Sequence, residues 1–129
     1  MEIFQQRNAP TLIRQGLRHL LPDYRFLAVT NPTLDALKET FVTVVGAGTP
    51  GGALATSSEN VHVTVYASNE PLAREVASTI DGLLLSPDVD WGFTINPGGG
   101  LITAPDPTTG GYLAAVTVIA ASPKNERVY

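Results

Sequence analysis

Apolar and polar residues alternate most regularly in NVHVTVYA, residues 60–67, where Val61, Val63, Val65 and Ala67 fall on one side and His62, Thr64 and Tyr66 on the other. A period of two predicts a strand half buried against a core. TFVTVV (40–45), rich in β-branched residues and stopped by Gly46, predicts a second strand. YRFLAVT (24–30) reads as a shorter one, ended by Asn31-Pro32, and TLDALKE after it as one or two helical turns. WGFTI (91–95) and GYLAAVTVIAA (111–121) complete the strands.

Two segments change to helical spacing. Leu12, Ile13, Leu17, Leu20 and Leu21 form an apolar stripe between Pro10 and Pro22, so an amphipathic helix is expected there. Leu72, Val76, Ile80, Leu83 and Leu84 form a second stripe, which Ser68 or Asn69 can cap and Glu70 and Pro71 can open. The order α-β-β-β-α-β-β predicts an α+β domain, with a mixed, mostly antiparallel sheet of about four to five strands packed against two helices. Between the last two strands, residues 96–110 read as a turn-rich connection, and 123–129 as an exposed, flexible tail.

At 129 residues the chain suits one domain, 1–129. Only 16% of residues are charged, against 43% hydrophobic, which gives a globular chain with a bland surface suited to meeting other subunits. The net charge of -4, with eight scattered Lys and Arg, argues against a binder that works by neutralising phosphates. Cysteine is absent, excluding disulfides and thiolate metal sites and fitting assembly in a reducing cytoplasm. The first residues, MEIFQQRNAP, lack a signal-peptide core, and no apolar run approaches a membrane span.

Candidate chemistry narrows quickly. Gly46, Gly48 and Gly51 spell G-x-G-x-x-G after a strand. That fingerprint requires a helix opening at the third glycine and an acidic residue about 20 positions on. Here Pro50 precedes Gly51, and GALATSSE leads to the next strand after too few residues for a crossover. A strand-to-strand loop is expected and no cofactor. His19 and His62 have no nucleophile partnered with them in a recognisable motif, and Asp88, Asp90 and Asp106 sit in turn contexts without calcium-loop spacing. NPGGG (96–100) has no helix behind it to cradle an anion. Trp91 and Phe93 alternate on one strand and read as core or interface anchors. Neither catalytic nor metal-binding residues are expected.

In order, TLIRQGLRHLLPD, TFVTVVGAG, VHVTVYASNE, PLAREVASTIDGLLLS and APDPTTGGYLAAVTVIAAS resemble the tail terminator proteins of long-tailed bacteriophages, especially the minor tail or tail-completion proteins of siphoviruses infecting actinobacteria. The resemblance covers residues 10–122 and rests on apolar and turn patterns; the 46–59 loop lacks the basic residues that often occur there. It implies a non-enzymatic virion protein of the tail and neck, assembled in the host cytoplasm. Six copies would ring the head-proximal end of the tail tube, contacting the major tail tube protein on one side and head-neck connector proteins on the other. Genomic DNA would pass through the lumen without specific binding, as suits acidic subunits. Another neck component, such as a head-closure or adaptor protein, is the alternative within the same class, and a small ligand-binding domain the alternative outside it.

Loops that are long and glycine-rich are the expected assembly surfaces. They comprise Gly46, Gly48, Gly51, Gly52, Thr56 and Glu59 in the first loop, Asn96, Gly99 and Asp106 in the second, and Lys124, Arg127 and Tyr129 in the tail. Trp91 is the expected aromatic anchor.

Overall fold

The computed structural model describes residues 2–5, 9–28, 37, 39–46, 56–89, 91, 94–107, 110–123 and 125–128. In chain order the elements are β1 (Glu2–Gln5), α1 (Ala9–Leu20), β2 (Arg25–Leu27), β3 (Phe41–Gly46), β4 (Thr56–Ala67), α2 (Glu70–Leu84), β5 (Thr94–Pro97), β6 (Ile102–Pro105), β7 (Tyr112–Pro123) and β8 (Asn125–Val128). The fold is α+β: six strands form a mixed sheet in the order β2-β3-β4-β7, with β5 and β6 both on the far side of β7. β2 runs parallel to β3, and every other pairing in that sheet is antiparallel. The expected strands are present, the 91–95 strand appearing as β5 from Thr94, and β1, β6 and β8 are additional.

Local chemistry explains both helices. The Asn69 side chain accepts a 2.9 Å hydrogen bond from the Leu72 amide, satisfying a donor that the first turn of α2 leaves orphaned. Glu70 then pairs with Arg74 one turn on at 3.1 Å. α1 begins with Pro10 in its first turn and ends before Pro22, positions where the missing amide costs no helical bond.

Both helices cover the same face of the sheet. Ile13 and Leu17 of α1, with Ala73, Val76, Ala77, Ile80 and Leu84 of α2, pack with Val42, Val44, Val61, Val63, Val65, Ala67, Ala114, Val116, Val118 and Ala120 in one core. The sheet positions are alternate residues in matched register, so the alternation that predicts β4 also determines which face is covered. Trp91 fills the space between the helices: its indole nitrogen donates to the Leu83 carbonyl at 3.3 Å, and its ring lies against Gly16 of α1. It lies outside any strand and is half buried, so its anchoring is internal to the helical layer.

The 96–110 segment differs from the expected open connection. Pro97 faces Val118 and Ile102 faces Ala115, so residues 98–101 lie opposite only two residues of β7. β5 and β6 therefore form one edge strand interrupted by a glycine-rich bulge, a form that bends an edge and spoils it for further pairing. Gly98 is needed at the bend, where a Cβ would stand 3.1 Å from the Thr117 carbonyl oxygen. Pro97 and Pro105 are tolerated because an edge strand needs donors on one side only. The 123–129 segment also departs from its expected form, since residues 125–128 are a strand paired antiparallel with β1.

Candidate assembly surface

The face of the sheet opposite the helices has no layer of secondary structure over it among the described residues. By register it carries Phe41, Thr43 and Val45 of β3, Asn60, His62, Thr64 and Tyr66 of β4, and alternate residues of β7 from Leu113 to Ala121, with Phe41 and Thr43 buried. β5 and β6 add Thr94, Asn96, Ile102 and Ala104 at its margin. Across these five strands the face holds no Asp, Glu, Lys or Arg; at its margin β2 adds Arg25 beside Phe41 and Leu27 beside Thr43. Exposed sheet faces ordinarily carry charge, whereas the centres of protein interfaces are depleted of it. Val45 and Ile102, on opposite flanks, are 41% and 64% exposed.

The surface is held rigid by its own side chains. Phe41 and Tyr66 stack with ring centroids 4.7 Å apart and planes 12° off parallel, which buries Phe41 despite its position on the uncovered side. Burial pushes the Tyr66 hydroxyl above its ordinary pKa of 10, the Asp106 carboxylate adds to the rise, and a hydrogen bond with Thr43 opposes it. Farther along, His62 Nδ1 and Thr117 Oγ1 are hydrogen-bonded at 2.7 Å across β4 and β7.

The residues expected at assembly surfaces are distributed over several places. Asn96 faces Ile119 on the margin of the uncovered face, and Gly99 beside it is exposed near Thr117. Gly46, at the end of β3, abuts the Glu59 carboxylate and Pro10 of α1. There desolvation raises the Glu59 pKa. Thr56 is the first residue of β4 and pairs with Pro123, so the expected 46–59 loop is strand from residue 56 onward. Asp106 is buried, and its amide and carbonyl close the β6–β7 turn with Gly111 and Gly110 at 2.8 and 2.9 Å. Its burial makes Asp106 a fold-shaping residue, whereas Trp91, expected as a core or interface anchor, packs between the helices. Arg127 lies in β8 opposite Ile3. Gly48, Gly51, Gly52, Lys124 and Tyr129 lie outside the described residues, as do most of the TLDALKE helical turns.

Sequence reasoning misses the uncovered face itself, although its signal is present: the polar side of each alternating strand is Thr, Tyr, His and Ala rather than charged. A cleft of about 660 Å³ at the end of α1 is lined by Arg18, Asp23, Tyr24, Arg25 and Glu39. Its cations are engaged within the chain: Arg18 donates to the Phe26 carbonyl at 2.8 and 3.2 Å, and Arg25 pairs with Glu39 at 3.7 Å. Among the described residues, no cluster of three or more His, Asp or Glu is arranged to hold a metal ion, and no helix is long and apolar enough to cross a membrane. The chain matches no protein-family model and no curated protein.

Proposed function

We propose that this chain is a structural subunit of a bacteriophage virion, a tail terminator that forms a six-membered ring on the head-proximal end of the tail tube. The observation that carries an assembly role is the sheet face away from the helices, which holds no formal charge across β3, β4, β7, β5 and β6 and carries one only at its margin, at Arg25 of β2. A monomer would have to keep such a surface in water, while a subunit can bury it in a contact with a neighbour. The ordered resemblance over residues 10–122 supplies the kind of assembly.

A cyclic ring joins one patch of each subunit to a different patch of the next and stops when the rotation closes. Subunits of net charge -4 would make an acidic collar that repels phosphates, which suits passage of DNA without retention. The ring's tube-side contact would end polymerisation of the major tail tube protein, and its other side would receive the head-neck connector proteins.

The test is electron microscopy of lysates from the phage with this gene removed. Overlong, unevenly long tails detached from filled heads are expected. Tails of uniform length that fail to join heads would place the protein in the neck instead, and normal virions would refute the structural role.

A further inference from the structure

Among the described residues, the six-stranded sheet is protected at both edges and the β1–β8 ribbon is not. At one edge of the sheet the Phe26 carbonyl of β2 is taken up by the Arg18 guanidinium. The opposite edge is broken by the bulge at 98–101 and carries Pro97 and Pro105. These are the usual means of stopping a sheet from recruiting another strand. β1 and β8, in contrast, form a separate two-stranded sheet, and among the described residues no third strand joins it. Nor does either strand carry a proline.

Such a ribbon is marginal alone, and stability normally comes from further strands or from burying an apolar face. The second route is poorly served. Register sets Glu2 opposite Val128, Ile3 opposite Arg127 and Phe4 opposite Glu126, so each of these cross-strand pairs joins an apolar residue to a charged one and no apolar row results. Edge pairing is the route that remains.

We infer that the ribbon is a contact between copies of this chain, in which the outer edge of β1 in one copy pairs antiparallel with the outer edge of β8 in the next. The inference rests on the ring reading for its closure. In a ring whose axis runs along these strands, every copy presents its ribbon in the same direction. The β1 of one copy then meets the β8 of its neighbour antiparallel, as the two already meet within a chain. Each copy uses both edges once, and closure leaves none free. Pairing β1 with β1 instead would leave every β8 edge bare, so the head-to-tail arrangement is favoured.

Because the chain has no cysteine, the contact can be mapped by disulfide formation. Each of Ile3→Cys and Phe4→Cys is co-expressed with each of Glu126→Cys and Arg127→Cys, one cysteine per chain, so any disulfide must join two copies. Cα atoms of facing residues on neighbouring strands are about 4.5–5.5 Å apart, within disulfide reach, whereas successive β1 strands would be about 10 Å apart. After mild oxidation, denaturing non-reducing gels should show at least about tenfold more crosslinked dimer for co-expressed pairs than for any variant alone, because only adjacent strands are in reach. Native mass spectrometry of the same samples, with and without tail tubes, reports the ring. A ring with no disulfide in any pair overturns the strand contact and leaves the ring reading standing. Efficient disulfides from Ile3→Cys or Phe4→Cys alone overturn the head-to-tail arrangement in favour of β1–β1 pairing. A chain that stays monomeric under both conditions overturns both.

Discussion

The packing of Trp91 on Gly16 makes a prediction whose sign depends on the neighbour. A methyl group at Gly16 would overlap the indole Cζ3 and stand 3.1 and 3.2 Å from Cη2 and Cε3. The ring cannot simply turn aside, because its nitrogen is bonded to the Leu83 carbonyl. Gly16→Ala gains about 0.5–1 kcal/mol of helix propensity in α1, but overpacking of a fitted site costs about 1–3 kcal/mol. The expected net effect is a loss of about 1 kcal/mol, or roughly 4 °C in Tm for a chain of this size. Trp91→Ala should cost about 3 kcal/mol, near the lower end for a large aromatic, because the residue is only half buried. In that background the obstruction is gone, and Gly16→Ala should become stabilising by about 0.5–1 kcal/mol. Urea denaturation of the four proteins gives the cycle, provided the m-values agree. A Gly16→Ala variant more stable than the parent, with the tryptophan present, would refute the packing argument.

Other expectations follow from the titrating groups and the uncovered face. Burial raises the Glu59 pKa above its ordinary value of 4.5, so the folded state holds this proton more tightly than the unfolded chain. Stability from this group is therefore lost as pH rises from the unfolded pKa through the folded one. Glu59→Gln should gain on the parent between pH 4 and 7 in urea titrations, and a parallel pH profile for the two proteins would count against it. Tyr66 should ionise above pH 10, resolved by ultraviolet difference titration against Tyr66→Phe, and Asp106→Asn should bring its midpoint down; an unchanged midpoint would remove Asp106 as a cause. Val45→Lys combined with Ile102→Glu alters two exposed positions on opposite flanks of the uncovered face, so the fold should change by no more than about 0.5 kcal/mol per site. Attachment to tail tubes, read by electron microscopy, should fall sharply; undiminished attachment would show that this face is not the contact.

The helices and long strands were legible because their burial is periodic. β4 needs only its alternating valines, and α2 its leucine stripe and the Asn69 cap. Glycine misleads the reading at the second loop. Gly98–Gly100 signals a loop, yet those residues form a bulge because β7 continues past them and holds both flanks in register. The place of Gly16 in α1 is set by a tryptophan 75 positions away that no local pattern connects to it. The β1–β8 pairing joins residues 2–5 to 125–128, and neither strand alternates cleanly enough to announce itself. For the assembly surface, the composition showed that charge was scarce, but not that the scarcity would be concentrated on one face. That follows only from strand order.

The central place of β7 also bears on how the protein is made. β4, β5 and β6 all pair with it, and its ladder with β4 joins residues 45 to 67 positions apart. Contacts so distant in sequence are slow to close. On the ribosome, residues 56–67 emerge well before their partner strand, and the sheet gains its middle only after residue 123 is free. The uncovered face thus assembles only once β7 has been made, so nascent chains that have not yet reached residue 123 would have little of it with which to engage one another.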